Sequence, residues 1–165
     1  MSSFRFAVIT MSDSGSRGER EDTSGEALKD LFEKAGYQLC CYRVIPDRVE
    51  PIVQTVKEAI DRDNADLVLT TGGTGVSPTD VTPEAMDKVF EKEIPGMAEA
   101  MRAESFKITP RAVISRSRAG IYKSSLIINL PGSKKAALEN IGVVMSALDH
   151  AIEKIKGSSV ECGES

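Results

Sequence analysis

The stretch ADLVLTTGGTGVSPTDVTPEA, residues 65–85, runs from an apolar segment into a loop rich in glycine and proline. Its first part, ADLVLTT, predicts a buried β-strand, because a short apolar run that ends at turn residues is typical of a strand inside a sheet. After the glycines, TPEAMDKVFEKE predicts a helix with Thr82 as its N-cap and Pro83 in the first helical position. A strand, a glycine loop and a helix in this order indicate a parallel sheet whose ligands bind at the carboxyl ends of the strands.

Strands and helices also alternate in the residues before this stretch. FRFAVITM at 4–11 and YQLCCYRVI at 37–45 predict strands, and each precedes an amphipathic segment, at 22–36 and 50–63, that predicts a helix. Continuous apolar runs alternating with helices are typical of strands buried on both faces. The sequence therefore predicts an α/β fold with an open, mostly parallel sheet and helices on both faces.

The C-terminal half is predicted to extend the same sheet. PGMAEAMRAESFK at 95–107 predicts a helix, and RAVISRS at 111–117 and SSLIINLP at 124–131 predict two strands joined by a connection of hairpin length. Apolar residues then recur at spacings of 3 and 4 from Leu138 to Ile155, which predicts a closing helix. Its apolar stripe serves either the core or a subunit interface.

Composition limits the classes of protein to which the chain can belong. With 165 residues, 41% of them hydrophobic, and no internal repeat or linker, it predicts one domain over residues 1–156 and a flexible C-terminal tail over 157–165. A net charge of -4 argues against nucleic acid or an anionic membrane as a partner. No apolar run reaches the roughly 20 residues of a membrane span and the first residues turn polar too soon for a signal peptide, so we expect a cytoplasmic protein.

Side chains suited to nucleophilic catalysis are few. The three cysteines, Cys40, Cys41 and Cys162, have no metal-binding spacing and are expected to be reduced thiols. The only histidine, His150, falls within the predicted closing helix. The sequence therefore argues against a Ser-His-Asp or a Cys-His mechanism.

The glycine loop is suited to an anion. A glycine-rich turn that leaves a parallel strand and leads into a helix presents unpaired backbone N–H groups at a positive helix end. Two familiar nucleotide motifs are absent, because Pro78 occupies the third glycine position of the dinucleotide fingerprint and no GK[ST] follows. The loop is either a phosphate site of another kind or a tight turn without a ligand.

Three aspartates follow the ends of predicted strands. Asp80 lies in the glycine loop, where it either caps the next helix or holds Mg²⁺ beside bound phosphates. Asp47 follows the second strand at the same edge of the sheet, and Asp13 follows the first strand, where a turn-forming role is the alternative. Mg²⁺ takes one or two carboxylates together with phosphate oxygens, which suits Asp47 and Asp80 as a pair.

Positive charge is concentrated between Arg102 and Lys135. This segment has eight cations and one acid, Glu104, so its net charge is +7 inside an acidic chain. Such a run is either a solvated basic face or part of an anion site. Within it, the turn LPGSKKA offers the backbone N–H groups of Gly132 and Ser133 at the start of the closing helix. Two anion-suited loops, two acids and the cationic segment fit a phosphorylated ligand together with a magnesium nucleotide.

These motifs resemble, in order and spacing, the molybdopterin-binding family of MogA/MoaB-like proteins, which includes the gephyrin G domain and its plant counterpart. The resemblance rests on VITMSDSGSRGEREDTSG, VIPD, LTTGGTGVSPTDVTPEA, PGMAEAMR, ISRSRAGI and SLIINLPGSKKA and covers nearly the whole chain. It implies a Rossmann-like sheet, a homotrimer or hexamer, and a role in molybdenum cofactor biosynthesis before a molybdate-insertion protein. It also implies Mg²⁺-dependent transfer of AMP from ATP to the terminal phosphate of molybdopterin, with release of pyrophosphate.

The resemblance assigns roles to individual residues. Asp47 and Asp80 match the family's magnesium-binding and catalytic aspartates. The implied substrate-binding residues are Asp13, Gly72, Gly73, Thr74, Gly75, Ser115, Arg116, Ser117, Pro131, Gly132 and Ser133. One departure concerns turnover: many adenylyltransferases of the family have arginine immediately before the loop aspartate, and this chain has Thr79.

Two other functions are alternatives to adenylyl transfer. A non-catalytic carrier or scaffold would keep the pterin pocket without consuming ATP, so ATP dependence discriminates it from an enzyme. A nicotinamide-dependent oxidoreductase rests on fold analogy alone and fails at the glycine fingerprint.

Overall fold

A computed structural model of the chain describes residues 3–159. It contains one six-stranded sheet with the strand order β2-β1-β3-β6-β5-β4. The first four strands in this order are parallel, whereas β5 runs antiparallel to both β6 and β4. The strands are β1 Arg5–Met11, β2 Gln38–Ile45, β3 Leu67–Thr71, β4 Lys92–Glu93, β5 Ala119–Tyr122 and β6 Ser125–Leu130. The predicted open, mostly parallel sheet is thus confirmed.

Helices connect the strands and cover both faces of the sheet. The α-helices are α1 Asp13–Ser16, α2 Thr23–Lys34, α3 Val49–Asp61, α4 Thr82–Asp87, α5 Pro95–Ile108, α6 Lys134–Val144 and α7 Leu148–Ile155. Two short 3₁₀ turns, Pro110–Ile114 and Met145–Ala147, complete the described elements. Residues 3–159 include no helix that is both long and apolar enough to cross a membrane.

The core has two layers, one on each face of the sheet. In β1, Phe6 and Val8 pack on one face with α2, α5, α6 and α7, whereas Ala7 and Ile9 pack on the other face with α3 and α4. All four side chains are fully buried. Successive side chains of β1 point to opposite faces of the sheet, and helices cover both faces. The sequence of β1 therefore shows no polar face.

The prediction of a strand over RAVISRS is wrong. Residues Pro110–Ile114 form a 3₁₀ turn, because the Thr109 hydroxyl accepts a hydrogen bond from the N–H of Arg111 and proline begins the turn. The strand begins at Ala119, inside the predicted connection, and a two-residue turn links it to β6. Lys123 in that turn has a φ of 54°, a conformation that a tight hairpin requires.

Smaller differences concern helix boundaries. Thr82 is not an N-cap: α4 follows Val81, and the Thr82 hydroxyl instead donates to the carbonyl of Gly72. The predicted closing helix is divided into α6 and α7 by the 3₁₀ turn at Met145–Ala147. Of the predicted flexible tail, residues 160–165 lie outside the described part of the chain, and so does Cys162. Cys40 and Cys41 are free thiols, as expected.

Candidate functional site

The polar loops predicted to meet do meet, at the carboxyl edge of the parallel strands. β1 leads into Asp13, β2 leads into Asp47, β3 leads into Gly72, and β6 leads into Pro131. Loops at this edge line a crevice because neighbouring crossover connections leave the sheet toward opposite faces. Here the chain leaves β1 toward α2 on one face and leaves β3 toward α4 on the other.

Asp13 and Asp47 hold each other in place. The N–H of Asp47 donates to Oδ1 of Asp13 at 3.0 Å, and the N–H of Asp13 donates to Oδ2 of Asp47 at 3.1 Å. Burial raises the pKa of the Asp47 carboxyl, and the charges of Asp13 and Asp80 raise it further, against the opposing effect of the Asp13 N–H. The pair is therefore preorganised, and its negative charge is concentrated where a cation would be favourable.

The glycine loop has a backbone that only glycine adopts easily. Gly72 and Gly73 have φ values of 103° and 68°. A Cβ at Gly72 would lie 2.5 Å from the carbonyl oxygen of Met11, so the strand end leaves no room for a side chain. Thr82 fixes the loop from the other side, because its N–H donates to the Gly73 carbonyl at 3.0 Å and its hydroxyl donates to the Gly72 carbonyl at 2.9 Å.

Asp80 ends this loop in a closed turn. Its Oδ2 accepts from the N–H of Ser77 at 3.0 Å, and its own N–H donates to the Ser77 carbonyl at 3.0 Å. Helix α4 has no side-chain N-cap, so Asp80 does not serve as one. Asp80 is half-buried, and its Oδ2 is the carboxylate oxygen that closes this turn.

The second anion-suited loop, Pro131 to Ser133, is tied to the first by a buried hydroxyl chain. The Thr71 hydroxyl donates to the Pro131 carbonyl at 2.6 Å and lies 2.8 Å from the hydroxyl of Ser24. Ser133 caps α6 by accepting from the N–H of Ala136 at 3.2 Å. The positive end of α6 therefore lies beside the glycine loop.

Two clefts open on either side of the glycine loop. The first cleft has a volume of about 580 Å³ and is lined by five acids and two arginines: Asp13, Glu21, Asp22, Asp47, Asp80, Arg17 and Arg20. The second cleft has a volume of about 390 Å³ and is lined by Arg102, Ser105, Arg111, Ala112, Ile114, Ser115, Pro131, Glu139 and Asn140, among others. Both clefts are lined by Gly73, Asp80 and Gly132, which form a shared wall.

Comparison with known proteins agrees with this geometry. The family model described as a probable molybdopterin binding domain matches residues 7–150. The molybdopterin adenylyltransferase of Helicobacter pylori strain 26695 is 38% identical over 168 residues, which cover 99% of this chain and 94% of that protein. The chain belongs to the molybdopterin-binding family.

Further relatives show the range of this family. Gephyrin from Dictyostelium discoideum is 41% identical over 155 residues, which cover 88% of this chain and 21% of that longer protein. The crystal structure of the molybdopterin biosynthesis enzyme MoaB from Thermus thermophilus superposes with a TM-score of 0.87 at 40% identity, covering 94% of this chain and 98% of that one.

Most residues that the family resemblance singled out lie in the two clefts. Asp13, Gly72 and Ser133 line the first cleft, whereas Thr74, Gly75, Ser115 and Pro131 line the second. Arg116 and Ser117 line neither cleft. Ser117 is only 2% exposed, and Arg116 bonds to the glycine loop itself. Asp47 lines the first cleft, and Asp80 lies in the wall that separates the two.

The cationic run divides into two groups. Arg118 and Lys123 are paired with acids, Arg118 with Asp87 and Glu93 and Lys123 with Asp61. Arg102 and Arg111, in contrast, line the second cleft of this family member. The run is therefore divided between cations that are paired with acids and cations that line a cleft, and an anion site at Arg102 and Arg111 stays a prediction.

Several contributors to the site carried no signal that sequence patterns detect. Asn140 lies within α6 and reaches the second cleft, where its amide donates to the Ser105 hydroxyl at 2.9 Å. Asp22 caps α2, and it also accepts hydrogen bonds from the hydroxyls of Thr10 and Tyr42 beside the first cleft. Only the amphipathic pattern of α6, with one polar residue on its buried side, could have pointed to Asn140.

Proposed function

We propose that the chain is a molybdopterin adenylyltransferase of molybdenum cofactor biosynthesis, which transfers AMP from ATP to the terminal phosphate of molybdopterin and releases pyrophosphate. The observation that carries this proposal is the pair of clefts that share the wall of Gly73, Asp80 and Gly132. A reaction between two bound substrates needs two sites whose reacting ends meet. The name of the full-length Helicobacter relative supports the same reaction.

Mg²⁺ fits the residues at this wall. Within residues 3–159 no group of three or more His, Cys, Asp or Glu side chains is arranged as a metal cage. A substrate-bound Mg²⁺ needs no such cage, because it takes one or two carboxylates and completes its shell with phosphate oxygens and water. Asp47 and Asp80 would hold the ion, which would neutralise the negative charge of the phosphates. Burial raises the pKa of Asp47, and the charges of Asp13 and Asp80 add to this effect, so a bound cation would favour its carboxylate form.

The chain's own contribution is to bind and orient the reacting phosphates. Helix α6 begins directly after Ser133, next to the wall residue Gly132, so its N-terminal N–H groups and those of the glycine loop would bind the phosphates. The hydroxyl chain through Thr71 keeps the two loops in register. Transfer of a phosphoryl-type group is accelerated mainly by positioning and charge neutralisation, so no histidine or activated cysteine is required. Substrate phosphates would then be held for in-line attack at the α-phosphorus of ATP.

The proposal includes assembly as a homotrimer or hexamer, a cytoplasmic location, and transfer of the product to a molybdate-insertion protein. Exposed apolar side chains support assembly with further chains. Phe106, Ile108, Val113 and Ile114 are all more than half exposed and lie within nine residues of one another beside the second cleft. Patches of this kind are typical of protein interfaces.

A pterin carrier without turnover is the second candidate, and the residue before Asp80 favours it. Thr79 supplies no positive charge there; its hydroxyl lies 3.1 Å from that of Ser77. Many adenylyltransferases of the family have an arginine at this position. The family resemblance implies that this arginine faces the phosphates. A carrier would bind molybdopterin with the same affinity in the presence and absence of ATP.

Pyrophosphate release from ATP and Mg²⁺, measured with and without molybdopterin, tests the enzyme against the carrier. We expect release that requires molybdopterin and falls by about a hundredfold or more in Asp47→Asn and Asp80→Asn. Asn retains an oxygen that accepts the Ser77 N–H, so the folded state of Asp80→Asn should persist, as judged by its thermal midpoint. Tight molybdopterin binding without release in the native chain would establish the carrier, and near-native rates in both variants would disprove the metal role.

A further inference from the structure

Arg116 bonds through all three guanidinium nitrogens to the glycine loop and to the helix that follows it, α4. Its Nε donates to the carbonyl of Gly75 at 2.7 Å, and its Nη2 donates to the carbonyl of Asp80 at 2.9 Å. Its Nη1 pairs with Oε1 of Glu84 at 2.5 Å. In addition, the N–H of Arg116 donates to the carbonyl of Thr74 at 2.8 Å. One residue therefore bonds both ends of the segment 74–80.

This segment has little other support. Val76, Ser77, Pro78 and Thr79 are all exposed, and the turn between Ser77 and Asp80 is closed only within itself. Gly75 and Asp80 pack tightly, since a Cβ at Gly75 would lie 2.7 Å from Oδ2 of Asp80. Because the same guanidinium bonds the carbonyls of these two residues, a shift of Arg116 would move the Asp80 carboxylate.

The side chain of Arg116 is poorly placed to bind a substrate anion. It lines neither cleft, and Glu84 already neutralises its charge. Each of its three nitrogens has a protein acceptor. A planar guanidinium can bridge several acceptors in a fixed geometry, whereas a lysine ammonium is a single point charge on a flexible chain.

We propose that Arg116 is a positioning residue, which holds the glycine loop so that the Asp80 carboxylate stays in the wall between the two clefts. This role replaces the substrate contact that family resemblance implied for Arg116. It rests on the proposed adenylyl transfer for its effect on rate, but the loop geometry can be tested without any turnover.

The experiment compares Arg116→Lys with Arg118→Lys. Arg118 is a matched control because it also bonds three acceptors, on Pro83, Asp87 and Glu93, but lines neither cleft. Amide hydrogen exchange of the segment 72–81 is measured first, without substrates. We expect exchange about tenfold faster than native in Arg116→Lys and unchanged in Arg118→Lys. Glu84→Gln, which keeps the guanidinium but removes its charged partner, should give a smaller acceleration of exchange.

Kinetics then separate positioning from binding. In Arg116→Lys we expect kcat to fall by about tenfold to a hundredfold, because small displacements of catalytic groups are costly, with both KM values within about threefold of native. Unchanged loop exchange with a KM increase of tenfold or more would overturn the proposal and make Arg116 a substrate ligand. Equal loop acceleration in Arg118→Lys would also overturn it. If the native chain shows no turnover, the proposed function fails, while the exchange result still decides the role of Arg116.

Discussion

The two clefts share one wall but differ in chemistry. The first is lined by five acids and two arginines, whereas the second has two arginines and several apolar side chains beside Glu139 and Asn140. The contrast arises from topology. The first cleft lies between the loops after β1 and β3, and the second lies between the glycine loop and helices α5 and α6. A single backbone loop at the switch point of a parallel sheet therefore separates two clefts of different chemistry.

This difference sets the wall residues apart from the other side chains of either cleft. Side chains such as Arg20 or Arg111 belong to one cleft only, but Gly73, Asp80 and Gly132 face both. Distorting the wall should therefore affect both substrates, whereas changes in one cleft should affect one substrate.

The largest effect is expected for Gly72→Ala. Alanine at a φ of 103°, with its Cβ 2.5 Å from the Met11 carbonyl oxygen, must displace the loop. We expect a loss of about 3 kcal/mol in the free energy of unfolding, measured by urea denaturation, together with weaker binding of both substrates.

Gly142→Ala is the control for this substitution. Gly142 lies in α6, and a Cβ there would meet no atom within 4 Å. Alanine should raise the free energy of unfolding by about 0.5–1 kcal/mol, because it is the better helix former. If Gly72→Ala were as stable as the native protein and bound both substrates with native affinity, the wall would be more adaptable than its contacts indicate.

A smaller effect distinguishes the two clefts. Arg20 and Arg111 are both exposed, and they line the first and second cleft respectively. Arg20→Gln and Arg111→Gln should each raise one KM by about threefold to tenfold, and the affected substrate should differ between the two variants. Steady-state kinetics with ATP and molybdopterin varied in turn would measure this. An increase in the same KM for both variants would mean that the clefts hold one extended ligand.

The smallest effect concerns a position that lines neither cleft. The hydrogen bond from Arg118 lowers the pKa of the Glu93 carboxyl. A lowered pKa means that the folded state favours the carboxylate, so its stabilisation is present at neutral pH and is lost as the pH falls through the folded-state pKa.

Glu93→Gln should therefore be less stable than native at pH 7, by less than about 1 kcal/mol because the pair is partly exposed. The difference should shrink as the pH falls through this lowered pKa, which lies below the range in which an ordinary glutamate titrates. Thermal unfolding across this pH range, with pyrophosphate release at pH 7 as the functional check, would measure it. A large loss of release would mean that the distant edge of the sheet is coupled to the clefts.

The order of strands and helices could be read from the chain where local patterns are strong. Runs such as FAVI at 6–9 and LVL at 67–69 are apolar, and the structure places both in the centre of the sheet. The apolar pattern is weaker in β5, the strand that the sequence placed too early in the chain. β5 contains Ala119 and Gly120, and Gly120 is small because the ring of Phe90 packs on it, 2.6 Å from where a Cβ would stand. A contact between residues 30 positions apart leaves no periodic signal in either segment.

The sequence by itself determined that this is an α/β protein and that acids and glycines follow the ends of its parallel strands. Those features depend on residues close in the chain, through side-chain periodicity, turn chemistry and the restriction of positive φ to glycine. Only the tertiary structure decided that the site consists of two clefts with a common wall. Only the structure shows that cations such as Arg118 are paired with acids while others line a cleft. Only the structure shows that Arg116 bonds to the loop that carries Asp80. These outcomes depend on contacts between distant segments, because the partners of a charged side chain are chosen by the packing of the sheet and its helices.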